Sequence, residues 1–236
     1  MVDEMGLSLE QQRLGEERAN IVAKNLRRRH INVQYFASRK EALDAILKMI
    51  PPGAKVARGD SLSVDQIGVI PELIRLRQNT IIDPYRRDTD GYYIDSAEAR
   101  RQMQREAFLT DVFLSGTNAV TLDGKLVNVD MLGNRVAAML FGPKKVILVA
   151  GVNKIVNDVN EAMERIRQVA APGNAQRHYL KHHYEEFANL PCVKTGRCVN
   201  CSHDFRICSF TVIIESTALR DQGRINLMLV GEELGI

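Results

Sequence analysis

The chain has 236 residues, 45% hydrophobic and 26% charged, ordinary proportions that exclude a disordered or collagen-like polypeptide. Its 32 lysines and arginines against 29 acidic residues leave a net charge of +3, too mild a bias to indicate a nucleic-acid partner. No apolar run approaches the roughly 20 residues that span a bilayer, and Met1-Val2-Asp3-Glu4-Met5 lacks the basic and apolar stretches of an export signal, so a soluble, cytoplasmic protein is expected.

Residues 7 to 30 read as a polar helix with a thin apolar stripe, Ala19, Val22 and Leu26, and with Arg27-Arg28-Arg29-His30 at its negative pole. This stretch, 1–30, is expected to be a helical extension of an α/β domain filling 31–236. Ile31, Val33 and Tyr35 alternate as a half-buried strand does. Ser38 is a candidate N-cap for a helix with Leu43, Ile46, Leu47 and Ile50 on one face, and Pro51-Pro52-Gly53 stops it. Lys55–Arg58 reads as a strand, followed by Gly59-Asp60-Ser61 and a helix running towards Leu76. Ser96 can cap a helix reaching Phe108, and Val112-Phe113-Leu114 is a buried type of strand.

Asp123-Gly124 tolerates the positive φ angles of a tight turn, so it joins Ala119–Leu122 and Lys125–Val129 as a hairpin. A helix from about Met131 to Leu140 follows, then the central strand Val146–Val149 with Gly151 after it. Val156, Val159, Met163, Ile166 and Ala170 recur at steps of three and four, predicting an amphipathic helix closed by Pro172-Gly173. His178, His182, His183 and Glu186 fall on a further helix, and the last strands are Thr211–Ile214 and Ile225–Val230.

Strands alternating with helices imply a three-layer α/β/α domain with a mainly parallel sheet, to which the hairpin adds an antiparallel element. Ligands of such sheets bind outside the carboxyl ends of the strands. Candidate binding residues therefore lie in the post-strand turns: Gly59, Asp60 and Ser61; Gly116, Thr117 and Asn118; and Lys154. Ser61 reads either as an anion site at a helix N-terminus or as a plain N-cap. Asn128 and Asp130 lie at the far end of the hairpin, where Asp130 is either an acid or base or the cap of the next helix. Lys154 either reaches a carboxylate or phosphate or is solvated. His178 and His182, four residues apart, either chelate a metal or form a polar face.

All four cysteines fall between Cys192 and Cys208, in the spacing C-x5-C-x2-C-x6-C on a segment, 190–210, that reads as loop-rich. A tight turn at Cys198-Val199-Asn200-Cys201 can bring two sulfurs onto one ion. With only one close pair, zinc and a four-thiolate iron–sulfur cluster both remain open, as do four inert reduced thiols.

These segments resemble the LUD-domain family, the lactate-utilisation proteins. The resemblance rests on Gly59-Asp60-Ser61 with Ile67-Gly68, Thr121 to Gly124, Asn128 to Gly133, Pro143 to Gly151 and Lys154-Ile155-Val156. Asn174-Ala175-Gln176-Arg177 and the stretches Cys192 to Cys201 and Arg206-Ile207-Cys208 are similar to its cysteine-bearing branch, and the match runs over about residues 20 to 236. The resemblance implies the fold of the ribose-phosphate isomerases and CoA transferases, and a role in organic-acid metabolism beside flavin and iron–sulfur proteins. It implies a small anionic metabolite as ligand and makes an iron–sulfur cluster (4Fe-4S) chemically useful, with zinc as the alternative. Other implied roles are a non-catalytic subunit docking a flavin or iron–sulfur oxidoreductase, or a sugar-phosphate isomerase-like enzyme; a symmetric homodimer is the default expectation on general grounds. The methylthioribose-phosphate isomerases are a more distant likeness: their catalytic aspartate falls on Asn118, and a neutral amide cannot act as a carboxylate base.

Overall fold

Short apolar strands alternating with amphipathic helices give a core in which six parallel strands lie side by side. The computed structural model describes residues 8–236; residues 1–7 of the expected extension lie outside them. In chain order the elements are α1 (Ser8–Arg28), β1 (Asn32–Phe36), α2 (Arg39–Met49), β2 (Lys55–Arg58), α3 (Leu62–Ile67), α4 (Val69–Leu76), β3 (Thr80–Ile82) and α5 (Ala97–Glu106). There follow β4 (Val112–Gly116), β5 (Ala119–Thr121), β6 (Leu126–Asp130), α6 (Asn134–Leu140), β7 (Lys145–Gly151), β8 (Ile155–Val156), α7 (Val159–Arg165) and α8 (Ala171–His182). The chain closes with α9 (Pro191–Thr195), β9 (Phe210–Ile214) and β10 (Ile225–Val230).

The main sheet has the order β1-β10-β7-β4-β2-β3, with every pairing parallel. One face is covered by α2, α3 and α4 through Ile46, Val64, Ile70 and Leu73. The other is covered by α1 and α6, whose Val22, Leu26 and Met139 pack on Phe113, Leu148 and Leu227. This is the expected three-layer arrangement. Burying each such aliphatic side chain contributes roughly 1.5–3 kcal/mol, and α1 is thereby built into the core along the stripe of Ala19, Val22 and Leu26.

A second, four-stranded sheet, β8-β5-β6-β9, has the expected hairpin at its centre. The last two strands therefore part company: β10 enters the main sheet, while β9 pairs antiparallel with β6. Gly124 in the hairpin turn has φ 87°, and a Cβ there would stand 2.8 Å from the backbone carbon of Asn25. The turn thus rests directly on α1, and Asn25 Nδ2 donates to Leu122 O at 2.8 Å.

Three helices differ from expectation. The helix towards Leu76 is two helices, because Gly68 takes φ 81° between α3 and α4. The helix after β6 starts at Asn134 rather than Met131, because Met131–Gly133 form a turn held by Asp130. The helix expected to run from Val156 to Pro172-Gly173 instead starts at Val159, where Asp158 caps it and Val156 has joined β8, and it continues to His182. A π-turn at Ile166–Ala170 makes that continuation feasible: Ala171 N donates to Ile166 O, five residues back. The register has already shifted where Pro172 lacks its N–H, so the proline does not end the helix. Within the cysteine segment, Pro191–Thr195 is helical where a loop was expected.

Candidate functional site

The turns after β2, β4 and β7 open into one cavity of roughly 370 Å³ at the carboxyl ends of these strands. Asp60, Ser61, Gly116, Thr117, Asn118, Asp130 and Lys154 all line it, so most of the residues singled out in the sequence meet there. Gly59 and Asn128 stand behind the wall. Gly59 N donates to Leu114 O at 2.9 Å and fastens the turn to β4. Ser61 Oγ accepts from Val64 N at 3.4 Å, so the serine does cap α3. Gly116 is required by close approach: a Cβ there would lie 2.7 Å from Ser61 Oγ. Thr117 Oγ1 turns inward and donates to Ala119 O at 3.2 Å.

Arg135, in the first turn of α6, organises the back of this site. Its Nη1 donates to Gly116 O and to Asn128 Oδ1, both at 3.0 Å. Its Nη2 donates to Asn118 Oδ1 at 3.1 Å and Val129 O at 2.7 Å, while Nε faces Asp130 Oδ2 at 3.5 Å. One guanidinium thus ties the end of β4 in the main sheet to the end of β6 in the second sheet. Asn118 Oδ1 also accepts from Val129 N at 2.9 Å, so this amide holds the same junction. Asp130 accepts from Leu132 N and Gly133 N through Oδ1 and from Val136 N through Oδ2. It caps the turn into α6 and also faces the cavity.

At the rim, Asp60 receives Arg177 Nη2 at 2.6 Å and lies 3.5 Å from His178 Nε2. Burial opposes its ionisation, but Arg177, His178 and Arg58 outweigh that and hold the carboxyl below its ordinary range. His178 Nδ1 and His182 Nδ1 are 3.0 Å apart, so one of them donates to the other. With Nε2–H of His178 directed at Asp60, the proton between the rings belongs to His182. Asp60, His178 and His182 each bring a ligand atom within 4.8 Å of the others, the spacing a metal ion could use. Arg177 occupies the carboxylate, however, and with Arg87 makes the field positive. That field opposes a cation and suits a hydrogen-bonded relay. The helix ends at His182, so His183, at φ 56°, and Glu186 leave the helix expected to carry them: His183 stacks on Tyr92, whereas Glu186 lines the cavity.

One feature here had no clear mark in the sequence. Tyr93 lies between two guanidiniums, Arg87 at 3.6 Å and Arg100 at 3.5 Å from its ring centre. Arg87 Nη2 and Arg100 Nε are buried and, among the described residues, have no hydrogen-bond partner. Lys154, a candidate already in the sequence, is buried rather than solvated. It is 5% exposed, and its Nζ donates to Ser63 Oγ at 3.0 Å, with no carboxylate of the described residues within 4.0 Å. Burial, then Arg165 and Arg135, push its amine down to about 7.

The four cysteines are free and half-buried, and all four line a small second cavity behind the first. Ala171 and Ile207 form wall to both cavities. Asn200, at φ 51°, makes the turn between Cys198 and Cys201, and its N–H donates to Cys198 Sγ at 3.4 Å. Burial, then the other three cysteines, push the Cys192 thiol up. Arg206 reaches in with Nη1 on Cys201 O at 2.7 Å and Nη2 3.6 Å from Cys208 Sγ. Among the described residues no three sulfurs lie within 4.8 Å of one another.

Fold and cavity together define an α/β protein with a cationic pocket at its strand ends and a thiol group at its back. The LUD-domain profile matches residues 19–230, and the chain belongs to the LUD-domain family. No curated protein matches it. Among solved structures, a DUF162 family protein from Deinococcus radiodurans is similar at 14% identity, over 94% of this chain and 96% of that one, with a TM-score of 0.44. No helix of the described residues is long and apolar enough to cross a membrane.

The histidine pair predicts a pH dependence. Burial pushes His178 down to about 4, though Asp60 opposes it, and burial with Arg177 and Arg87 pushes His182 down to about 3. Between those values and the ordinary 6.5 the unfolded chain binds more protons, so stability falls as pH drops from about 7 to about 4. Urea titrations across that range should show the fall, and His182→Gln should flatten it. An unchanged slope in the variant would assign the acid sensitivity elsewhere.

Proposed function

We propose that the protein binds a small organic acid in the strand-end cavity, in lactate-type metabolism, and carries a metal centre on its four cysteines. The observation that carries the first part is the set of cations without carboxylate partners. Lys154 has only a hydroxyl, and Arg100 has a buried Nε with no acceptor. An incoming carboxylate or phosphate supplies the missing anion, and Asp60, Ser61, Thr117 and Asn118 offer it further polar contacts. Membership of the LUD-domain family supports a lactate-utilisation type of role. In an enzymatic version of this reading, Asp130 is the carboxylate placed beside Asn118 in the cavity wall to move a proton.

Cys192, Cys198, Cys201 and Cys208 would hold the metal. With only one close pair in the spacing C-x5-C-x2-C-x6-C, an iron–sulfur cluster (4Fe-4S) is put first and zinc is the alternative. Arg206 supports the same reading, because its charge beside Cys208 offsets that of thiolates and its buried Nε lacks a partner among the described residues. A bound cluster would supply one-electron transfer behind the wall formed by Ala171 and Ile207.

A second reading is a subunit that docks a flavin or iron–sulfur oxidoreductase. Phe210 and Ile213 are exposed on β9, an edge strand that directly follows the cysteine segment, and such an edge can pair with another chain. A second copy pairing there would give a homodimer.

A melting-temperature screen with lactate, sugar phosphates and CoA esters tests the cavity. One of these acids should stabilise the protein, by about 2.7 kcal/mol at a hundredfold excess over Kd, and Arg100→Met should abolish the shift. No shift with any acid, together with a stable complex in partner pull-downs, would favour the docking reading. For the cysteines, protein purified without air should contain iron near stoichiometry and absorb in the visible. Cys198→Ser with Cys201→Ser should remove the metal and leave the α/β core folded. Neither iron nor zinc in protein with intact thiols would end this reading. Metal persisting in the double variant would contradict the assignment to the cysteines and point to the histidine group from His178 to His183.

A further inference from the structure

We infer that Lys154 is a nucleophile that forms an imine with the carbonyl carbon of a 2-oxo acid bound in the strand-end cavity. The inference rests on the reading of that cavity as an organic-acid site and names the chemistry it would perform. Four observations meet at this amine. Lys154 lines the cavity, and its side chain is almost wholly buried. Ser63 Oγ, at 3.0 Å, is its partner, and no carboxylate of the described residues stands within 4.0 Å to hold it as an ammonium. Arg165 is anchored next to it, with Nε on Asn153 O at 3.2 Å and Nη1 on Asn118 O at 2.8 Å. Finally, the backbone of Gly235 closes over the amine, where a Cβ would come within 2.6 Å of Nζ.

A lysine that is desolvated and crowded by other cations gives up its proton near neutrality, and its lone pair then becomes available to a carbonyl. The direction and causes of the shift at Lys154, burial followed by Arg165 and Arg135, agree with that geometry. The remaining cavity suits the rest of a 2-oxo acid. Arg100 is there for the carboxylate, while Phe187, Phe205 and Ile207 offer an apolar wall for a larger body than three carbons.

The step balances without an oxidant or reductant. The Nζ lone pair forms the C–N bond, the carbonyl π pair moves to oxygen, and that oxygen takes a proton to give a carbinolamine. The C–O bond then breaks as the hydroxyl takes a second proton from solvent and leaves as water, and the nitrogen lone pair forms the C=N bond while keeping its remaining hydrogen, which gives the protonated imine. Ser63 Oγ is within reach to relay a proton between nitrogen and oxygen. The protonated imine withdraws electrons from the neighbouring carbon, which is the use an acid-metabolising site would have for it.

The test is borohydride trapping on the full chain, with pyruvate and phenylpyruvate as probes and peptide mass spectrometry as readout. The expected result is a reduced adduct on the Lys154 peptide at about tenfold or more the yield on any other lysine, as a lowered amine pKa implies. Lys154→Arg should lose it, and Ser63→Ala should slow its formation. Mapping on the native chain decides the matter even where a variant fails to fold. Adducts spread evenly over the lysines would overturn the inference. A melting shift with pyruvate or phenylpyruvate but no adduct at Lys154 would overturn it too, leaving the binding site standing. Neither shift nor adduct would remove both.

Discussion

One buried guanidinium ties the strand ends of the two sheets together where the cavity forms, over a hydrophobic core that both sheets share. Arg135 is surrounded by the carbonyls of Gly116 and Val129, the amide oxygens of Asn118 and Asn128, and the carboxylate of Asp130. A buried charge is tolerated only when its donors are matched, and leaving such a group's partners unpaired costs about 3–5 kcal/mol. Both strand ends are therefore constrained to the geometry of one planar fork. Asn128 shows how tightly the junction is drawn. Its side chain is fully buried, Oδ1 is used by Arg135, and Nδ2 is left without a partner among the described residues. The cavity is the concave side of this junction, so its shape follows from the same contact.

The charge inside the cavity has a second logic. Asp60 is matched by Arg177, and Asp130 by Arg135 and backbone donors, so these two carboxylates are already satisfied. Lys154 and Arg100 have no acid opposite them. Matched acids and unmatched bases together make a site that attracts an anion and gives a cation little to bind. The thiol group shares a wall with this site through Ala171 and Ile207, and the segment that carries it also supplies Phe205 to the cavity. Anything that orders the cysteine segment will also shape the cavity.

Much of this arrangement is legible in the sequence, because local rules determine it. Ser38, Ser61 and Ser96 sit before amphipathic runs and do cap the helices that follow. Asp123-Gly124 needs only its own φ preferences to make the hairpin turn. The parallel sheet follows from alternation, and the position of the cavity follows from the sheet. What was not legible is what depends on distant partners. Arg135 looks like any helix-surface arginine until β4 and β6 converge on it; the polar residues Asn118, Asn128 and Asp130 ahead of it were the available hint. Continuation of the helix through Pro172 depends on a π-turn that no local pattern announces. Tyr93 gains meaning only once Arg87 and Arg100 close on both of its faces. The second sheet was hidden because β9 reads as one more strand and its partner is chosen by tertiary packing.

The dependence of the cavity on Arg135 can be measured directly by hydrogen exchange on the native protein and on Arg135→Met. The substitution keeps a long side chain but removes all five donors, so the backbone of 116–118 and 128–136 should exchange faster. The buried strands β7 and β10 should keep their protection. Unchanged exchange at 116–118 and 128–136, in a variant that is still folded, would contradict the claim that this guanidinium holds the two sheets and the site together.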